Sequence, residues 1–168
     1  YVKYFGGTPV AYRTVEESNW IPDLEDLRGK ITDRTRALVI VNPNNPTGSL
    51  YDRKTLAQML DIAAEHKLLV VSDEIYDRLV YDCKFASTAA LAKDVPVVGL
   101  NGFSKTYVMT GWRLGYLYFH DPTDSLGELR EAIAKESRVR LCAVTPVQNA
   151  AVKALKGAQT HVTRMVRI

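Results

Sequence analysis

An α/β fold built on a mostly parallel sheet is what these 168 residues predict. Four short apolar, β-branched runs stand between turn residues. They are Ala37–Val41, Leu68–Ser72, Pro96–Leu100 and Leu114–Phe119. Continuous apolar runs of that length suit strands buried on both faces. Helical periodicity fills the gap between the first two, and the most unusual loops follow the carboxyl ends of three of them.

Thr8–Tyr12 is a further candidate strand. Pro22–Ile31 reads as a short helix, with Leu24, Leu27 and Ile31 along one side. Within Asp52–Lys67, Leu56, Met59, Leu60 and Ala63 fall at i, i+3, i+4 and i+7, one face of a helix. Strand, helix and strand in succession predict a parallel pair joined by a right-handed crossover. Ser125–Arg140 is predicted helical, with Leu126, Leu129 and Ile133 aligned. A bend near Cys142–Val144 precedes another helix. Thr145 is its expected N-cap, with Pro146 at the first helical position and Gln148 completing a capping box. The closing "THVTRMVRI" also reads as helix.

Composition narrows the function. Hydrophobic residues make up 46% and charged residues 24%, an ordinary globular balance. The formal charge of +3 comes without a basic block or aromatic-interleaved stripe, so no nucleic-acid partner is expected. No apolar run reaches the length of a membrane span. Cys83 and Cys142 lack CxxC spacing and read as free thiols of a reducing, cytoplasmic setting. The chain opens on "YVKYFGG" with neither initiator Met nor signal peptide, and is expected to be a piece of a longer protein.

Ligands of open α/β sheets collect at the carboxyl ends of the strands. "NPNNPTG" (Asn42–Gly48) leaves the first predicted strand, "SDEIYDRLVYD" (Ser72–Asp82) the second, and "NGFSKTYVMTGWRLGY" (Asn101–Tyr116) the third. Each has a plain explanation. Prolines and glycine make a tight turn; carboxylates suit a surface loop; lysines are usually solvated; an arginine at a strand entrance suits an ion pair. Asp73 directly follows an apolar run, however, so its carboxylate needs a cation or an N–H partner. Four such features on one rim predict one cavity.

These loops resemble the signature of class I/II aminotransferases, the fold-type I enzymes that depend on pyridoxal phosphate. "SKTYVMTGWRLGY" is similar to the family's lysine attachment site, and "NPNNPTG" and "SDEIY" to its two other cofactor loops. The spacings agree as well: Asn45 to Asp73 is 28 residues, Tyr76 to Lys105 is 29, and Lys105 to Arg113 is eight. The likeness covers nearly the whole chain.

The resemblance implies a three-layer α/β/α sandwich. It makes residues 1–168 one partial cofactor-binding large domain, without the N-terminal part and the small C-terminal domain. It implies pyridoxal 5′-phosphate as cofactor, amino acid and 2-oxo acid substrates, no metal, and a homodimeric parent. Lys105 would bond to the cofactor aldehyde and later carry a proton; a neutral amine is the nucleophile. Asp73 would keep the pyridine nitrogen protonated, so the ring can accept electrons. Asn45 and Tyr76 would hydrogen-bond the phenolic oxygen, and Tyr76 joins Lys105 and Asp73 as catalytic. Arg113 would clamp the phosphate with a planar fork, with Gly111 leaving the backbone room. Many relatives carry Ser or Thr three residues before the lysine; here that position is Gly102, and Ser104 is expected to point elsewhere.

Other readings use the same residues. A C–S lyase or a synthase on this scaffold would keep Lys105 and Asp73. A non-catalytic effector domain would keep the cofactor and lose the reaction. A Mg²⁺ site on Asp73, Glu74, Asp77 and Asp82 leaves Lys105, Arg113 and "NPNNPTG" without a role. His66, His120 and His161 have no ligand spacing and read as incidental. Donor specificity leans towards the aspartate- or alanine-type branch.

Overall fold

The computed structural model describes residues 1–81, 83–139 and 141–167. Asp82, Arg140 and Ile168 lie outside these, so the Mg²⁺ ligand considered at Asp82 and the helix end considered at Arg140 are not described.

A two-residue strand β1 (Thr14–Val15) pairs antiparallel with β2 (Ile21–Pro22). Helix α1 (Leu24–Lys30) starts where Asp23 accepts hydrogen bonds from the amides of Glu25 and Asp26. Leu27 is its buried side chain. The main sheet holds β3 (Ala37–Val41), β4 (Leu69–Asp73), β5 (Val97–Gly102) and β6 (Gly115–His120), in that spatial order. The pairs β3–β4 and β4–β5 are parallel; β6 runs antiparallel to β5. The sheet is thus mostly parallel, as an α/β class requires.

Helix α2 (Arg53–Glu65) links the parallel pair β3 and β4. Asp52 caps it by accepting from the Thr55 amide at 2.7 Å. Its predicted stripe is the buried one: Leu56, Met59, Leu60 and Ala63, joined by Ile62. With the short helix α3 (Thr88–Leu91), α2 covers one face of the sheet. Leu38, Ile40, Val70 and Val97 meet it there as one apolar cluster. Burying each such side chain contributes about 1.5–3 kcal/mol. On the opposite face Val39 is 52% exposed.

Beyond β6 come α4 (Gly127–Val139), α5 (Thr145–Lys156) and α6 (Thr160–Val166). Two local expectations fail. Thr8–Tyr12 is not a strand; Tyr12 reaches the sheet edge by its side chain, its hydroxyl donating to the Val39 carbonyl at 3.1 Å. Thr145 is not a cap, because the helix begins one residue earlier than the capping box requires: Val144 is the N-cap and makes no side-chain bond. Gln148 instead donates its side-chain amide to the Ala143 carbonyl at 2.6 Å.

Candidate active site

The carboxyl ends of β3, β4 and β5 lie in register, with Val41 opposite Asp73 and Asp73 opposite Leu100. Asp73 is therefore the last residue of β4 rather than the first of a loop. Sheet bonds grip it: its carbonyl accepts from the Asn42 amide at 2.9 Å. Its Oδ1 accepts from the Ile75 amide at 3.1 Å, which supplies the N–H partner that a half-buried carboxylate needs.

Strand alternation then separates neighbouring acids. Asp73 shares a sheet face with Val41 and Leu100, its register partners. Glu74, one residue on, is 2% exposed and turns the other way, under α3. Asp73 and Glu74 of the Mg²⁺ reading diverge accordingly, and among the described residues no three acidic, His or Cys side chains converge.

Lys105 sits half-buried in the turns that follow β5. Its Nζ lies 5.5 Å from the centre of the Tyr76 ring. A cation at that distance is attracted to the ring face by about 0.5–1 kcal/mol at an exposed site. Two predicted site residues from different loops are thereby in direct contact. Next to Lys105, the buried Thr106 Oγ1 has no hydrogen-bond partner among the described residues.

Arg113 is exposed, and its Nη1 donates to the Thr110 carbonyl at 2.8 Å. It lines a cavity of about 190 Å³ together with Ser104, Asn101, Ile75 and the hairpin base. The expectation that Ser104 points elsewhere assumes a regular loop; this loop is irregular, and Ser104 lines the same cavity as Arg113. The irregularity is visible in the backbone. Val108 and Arg113 both take left-handed φ, at 54° and 53°. For a β-branched residue that conformation is strained, at about 1–3 kcal/mol, and such strain gathers at functional sites. Gly111 meets nothing where a Cβ would stand, so no neighbour within the described chain demands its smallness.

The asparagines of "NPNNPTG" have different fates. Asn42 is fully buried and accepts from the Tyr51 amide at 2.8 Å, pinning the loop. Asn44 accepts from the Thr47 hydroxyl at 2.8 Å. Asn45, the residue predicted to face the cofactor, is exposed at the tip.

Several groups at the rim carry no motif. Burial pushes the Asp77 carboxyl up, against a hydrogen bond from Asn101 that pulls it down. Burial likewise raises the Tyr116 phenol, and the nearby Asp77 charge adds to it. Gln159 accepts from Tyr107 at 3.0 Å and from Arg78 at 3.1 Å, tying the lysine loop to the β4 loop. His161 Nε2 lies 3.1 Å from the Thr106 carbonyl, beside the lysine. These partners stand 52, 81 and 55 residues apart, so no local pattern announces them.

The structure thus brings Lys105 to the Tyr76 ring, and Ser104 and Arg113 to one cavity, while Asp73 ends β4 and Asn45 stands exposed. A guanidinium beside a hydroxyl is chemistry that suits an anionic group such as a phosphate. Comparison with known proteins points the same way. The family described as aminotransferase class I and II matches residues 1–168. The alanine aminotransferase of Mycobacterium bovis is 45% identical over 92% of this chain, which spans 36% of it. The glutamate-pyruvate aminotransferase of Escherichia coli K12 is 42% identical over 95% of this chain, which spans 40% of it. The solved alanine aminotransferase of Pyrococcus furiosus superimposes with a TM-score of 0.96 at 53% identity, over 99% of this chain and 42% of its own. The chain therefore spans well under half the length of these relatives, and it belongs to the class I and II aminotransferases, a family that depends on pyridoxal phosphate.

Proposed function

We propose that the protein containing this chain transfers an amino group from an amino acid to a 2-oxo acid, with these residues as the central part of its cofactor-binding large domain. Glutamate as donor with pyruvate as acceptor, and in reverse alanine with the 2-oxo acid of glutamate, are the substrate pairs to try first, given the names of the similar enzymes. A cytoplasmic homodimer is the form in which we expect it to act. The observation that carries the reading is the contact between Lys105 Nζ and the Tyr76 ring, 5.5 Å to the centroid, at the rim where β4 ends in Asp73.

The donor set fits pyridoxal phosphate. Arg113 and Ser104 line one cavity and suit the phosphate, where a guanidinium fork binds two oxygens. Bound there, the cofactor supplies an aldehyde for an amine and a ring that takes up electrons from the substrate α-carbon. The chain's own residues do the rest. Lys105 would hold the cofactor through its neutral amine, with water released, and once displaced by the substrate's amino group its freed amine would move a proton at the α-carbon. Asp73, held by the Ile75 amide, would keep a proton on the ring nitrogen. Asn45 and Tyr76 would donate to the phenolic oxygen.

Borohydride reduction in the presence of pyridoxal phosphate, followed by peptide mapping, tests the assignment. The tag is expected on Lys105. A tag on another lysine with Lys105 unmodified sinks it. The same reading expects residues 1–168 alone to show no turnover.

A further inference from the structure

Directly behind Asp73 lies a polar cluster that no role above uses. The Glu74 carboxylate, 2% exposed, is surrounded by donors. Oε1 accepts from the Thr88 amide at 2.8 Å, the Ser72 hydroxyl at 3.1 Å and the Ser87 hydroxyl at 3.3 Å. Oε2 accepts from the Tyr118 hydroxyl at 2.8 Å. Ser72 and Thr88 also meet at 2.8 Å, and Ser87 and Tyr118 at 3.1 Å. Among the described residues no cation pairs with this carboxylate. Four hydrogen bonds converge on one side chain from β4, the segment leading into α3, α3 itself and β6.

The sheet is shaped to allow it. Across the register, Ser72 pairs with Gly99 and Gly99 with Tyr118. A Cβ on Gly99 would collide with the Tyr118 ring. The missing side chain on β5 is what lets a tyrosine of β6 pass over it and reach an acid beyond β4. A buried carboxylate without such partners would cost several kcal/mol, so this shell is a specified arrangement. It fixes the residue that immediately follows Asp73, while Asp73 itself faces the opposite side.

We propose that Glu74 is the positioning residue for Asp73: it anchors the carboxyl end of β4 to α3 and β6, so that Asp73 is presented to the cofactor ring in one orientation. The inference rests on the reading of Asp73 as partner of the ring nitrogen. Loosening Glu74 then weakens the hold on that nitrogen's proton. With less positive charge on the ring, the nitrogen linked to Lys105 binds its own proton more tightly.

The test uses the full-length protein loaded with pyridoxal phosphate, titrated through its visible absorption band. Glu74→Gln keeps the size but turns an NH₂ towards donors. Its band midpoint is expected to rise by about half a pH unit or more, and its cofactor dissociation constant by about three- to tenfold. Tyr118→Phe keeps the ring and removes one donor; a smaller shift in the same direction is expected. A merely structural role would lower thermal stability and leave the midpoint in place. Should Glu74→Gln not fold, Tyr118→Phe decides. Unchanged midpoint and affinity in the variants that fold overturn the inference and leave the cofactor assignment standing. A parent protein that gives no band with pyridoxal phosphate removes both.

Discussion

Along β4, Val70 and Ser72 are sealed beneath α2 and α3, while Leu69, Val71 and Asp73 stay half-buried on the other face. The neighbouring strand repeats the contrast: Ile40 is fully buried and Val39 is 52% exposed. One face is therefore closed by this chain's own helices. The other carries Asp73, the carboxylate that the proposed function assigns to the cofactor ring. A residue's contribution to folding and its contribution to function are separated here by a single step along the strand.

The sharpest way to break that comparison is a matched pair on β3. Ile40→Ala opens a cavity under α2 and is expected to cost about 2–5 kcal/mol. Val39→Ala, one residue earlier, should stay within about 0.5 kcal/mol. Chemical denaturation of both variants measures the difference. Equal losses would mean that the two faces are packed alike.

A smaller effect is expected at Gly99. Adding one methyl there drives into the Tyr118 ring, and overpacking of that kind costs about 1–3 kcal/mol. If Gly99→Ala instead melts with the parent protein, the tyrosine does not need the gap. The double variant Gly99→Ala, Tyr118→Phe sharpens this further: because the ring itself occupies the space, Phe should not relieve the clash.

The smallest effect concerns pH. Burial raises the Tyr118 phenol, and its bond to the Glu74 carboxylate raises it further, against an opposing bond with Ser87. Burial raises Tyr12 in the same direction. A raised phenol stabilises the fold below the ordinary tyrosine value of about 10. That stability is lost as pH climbs through the folded-state value. Thermal melts should thus fall off above about pH 10, with a shallower fall in Tyr118→Phe. An identical alkaline slope in that variant would show that Tyr118 titrates as it does in the unfolded chain.

Most of the framework was legible because its signals are local. Ala37–Val41 is the strand its apolar run predicts, and the Leu56, Met59, Leu60, Ala63 stripe is the buried face of α2. Other boundaries slid by one or two residues. Leu68–Ser72 became Leu69–Asp73, because pairing with Val41 and Leu100 extends the ladder through the aspartate. Thr8–Tyr12 has β-forming residues, yet a strand needs a neighbour to ladder with, and only the Tyr12 hydroxyl meets one. The candidate site was legible as a set of residue types at family spacing. Its support was not. Ser87 and Tyr118 stand 13 and 44 residues from Glu74, and their meeting depends on the β5–β6 register and on one absent side chain. No window of sequence contains those three facts together.

The antiparallel turn from β5 into β6 carries a consequence of its own. Gly102 pairs with Gly115, so the stretch carrying Lys105 and Arg113 is a loop cinched at its neck. Its two basic groups are seated separately above that neck, Lys105 against the Tyr76 ring and Arg113 on the Thr110 carbonyl. Removing or adding a residue between them is expected to change their spacing while leaving the β5–β6 pairing below the neck in place.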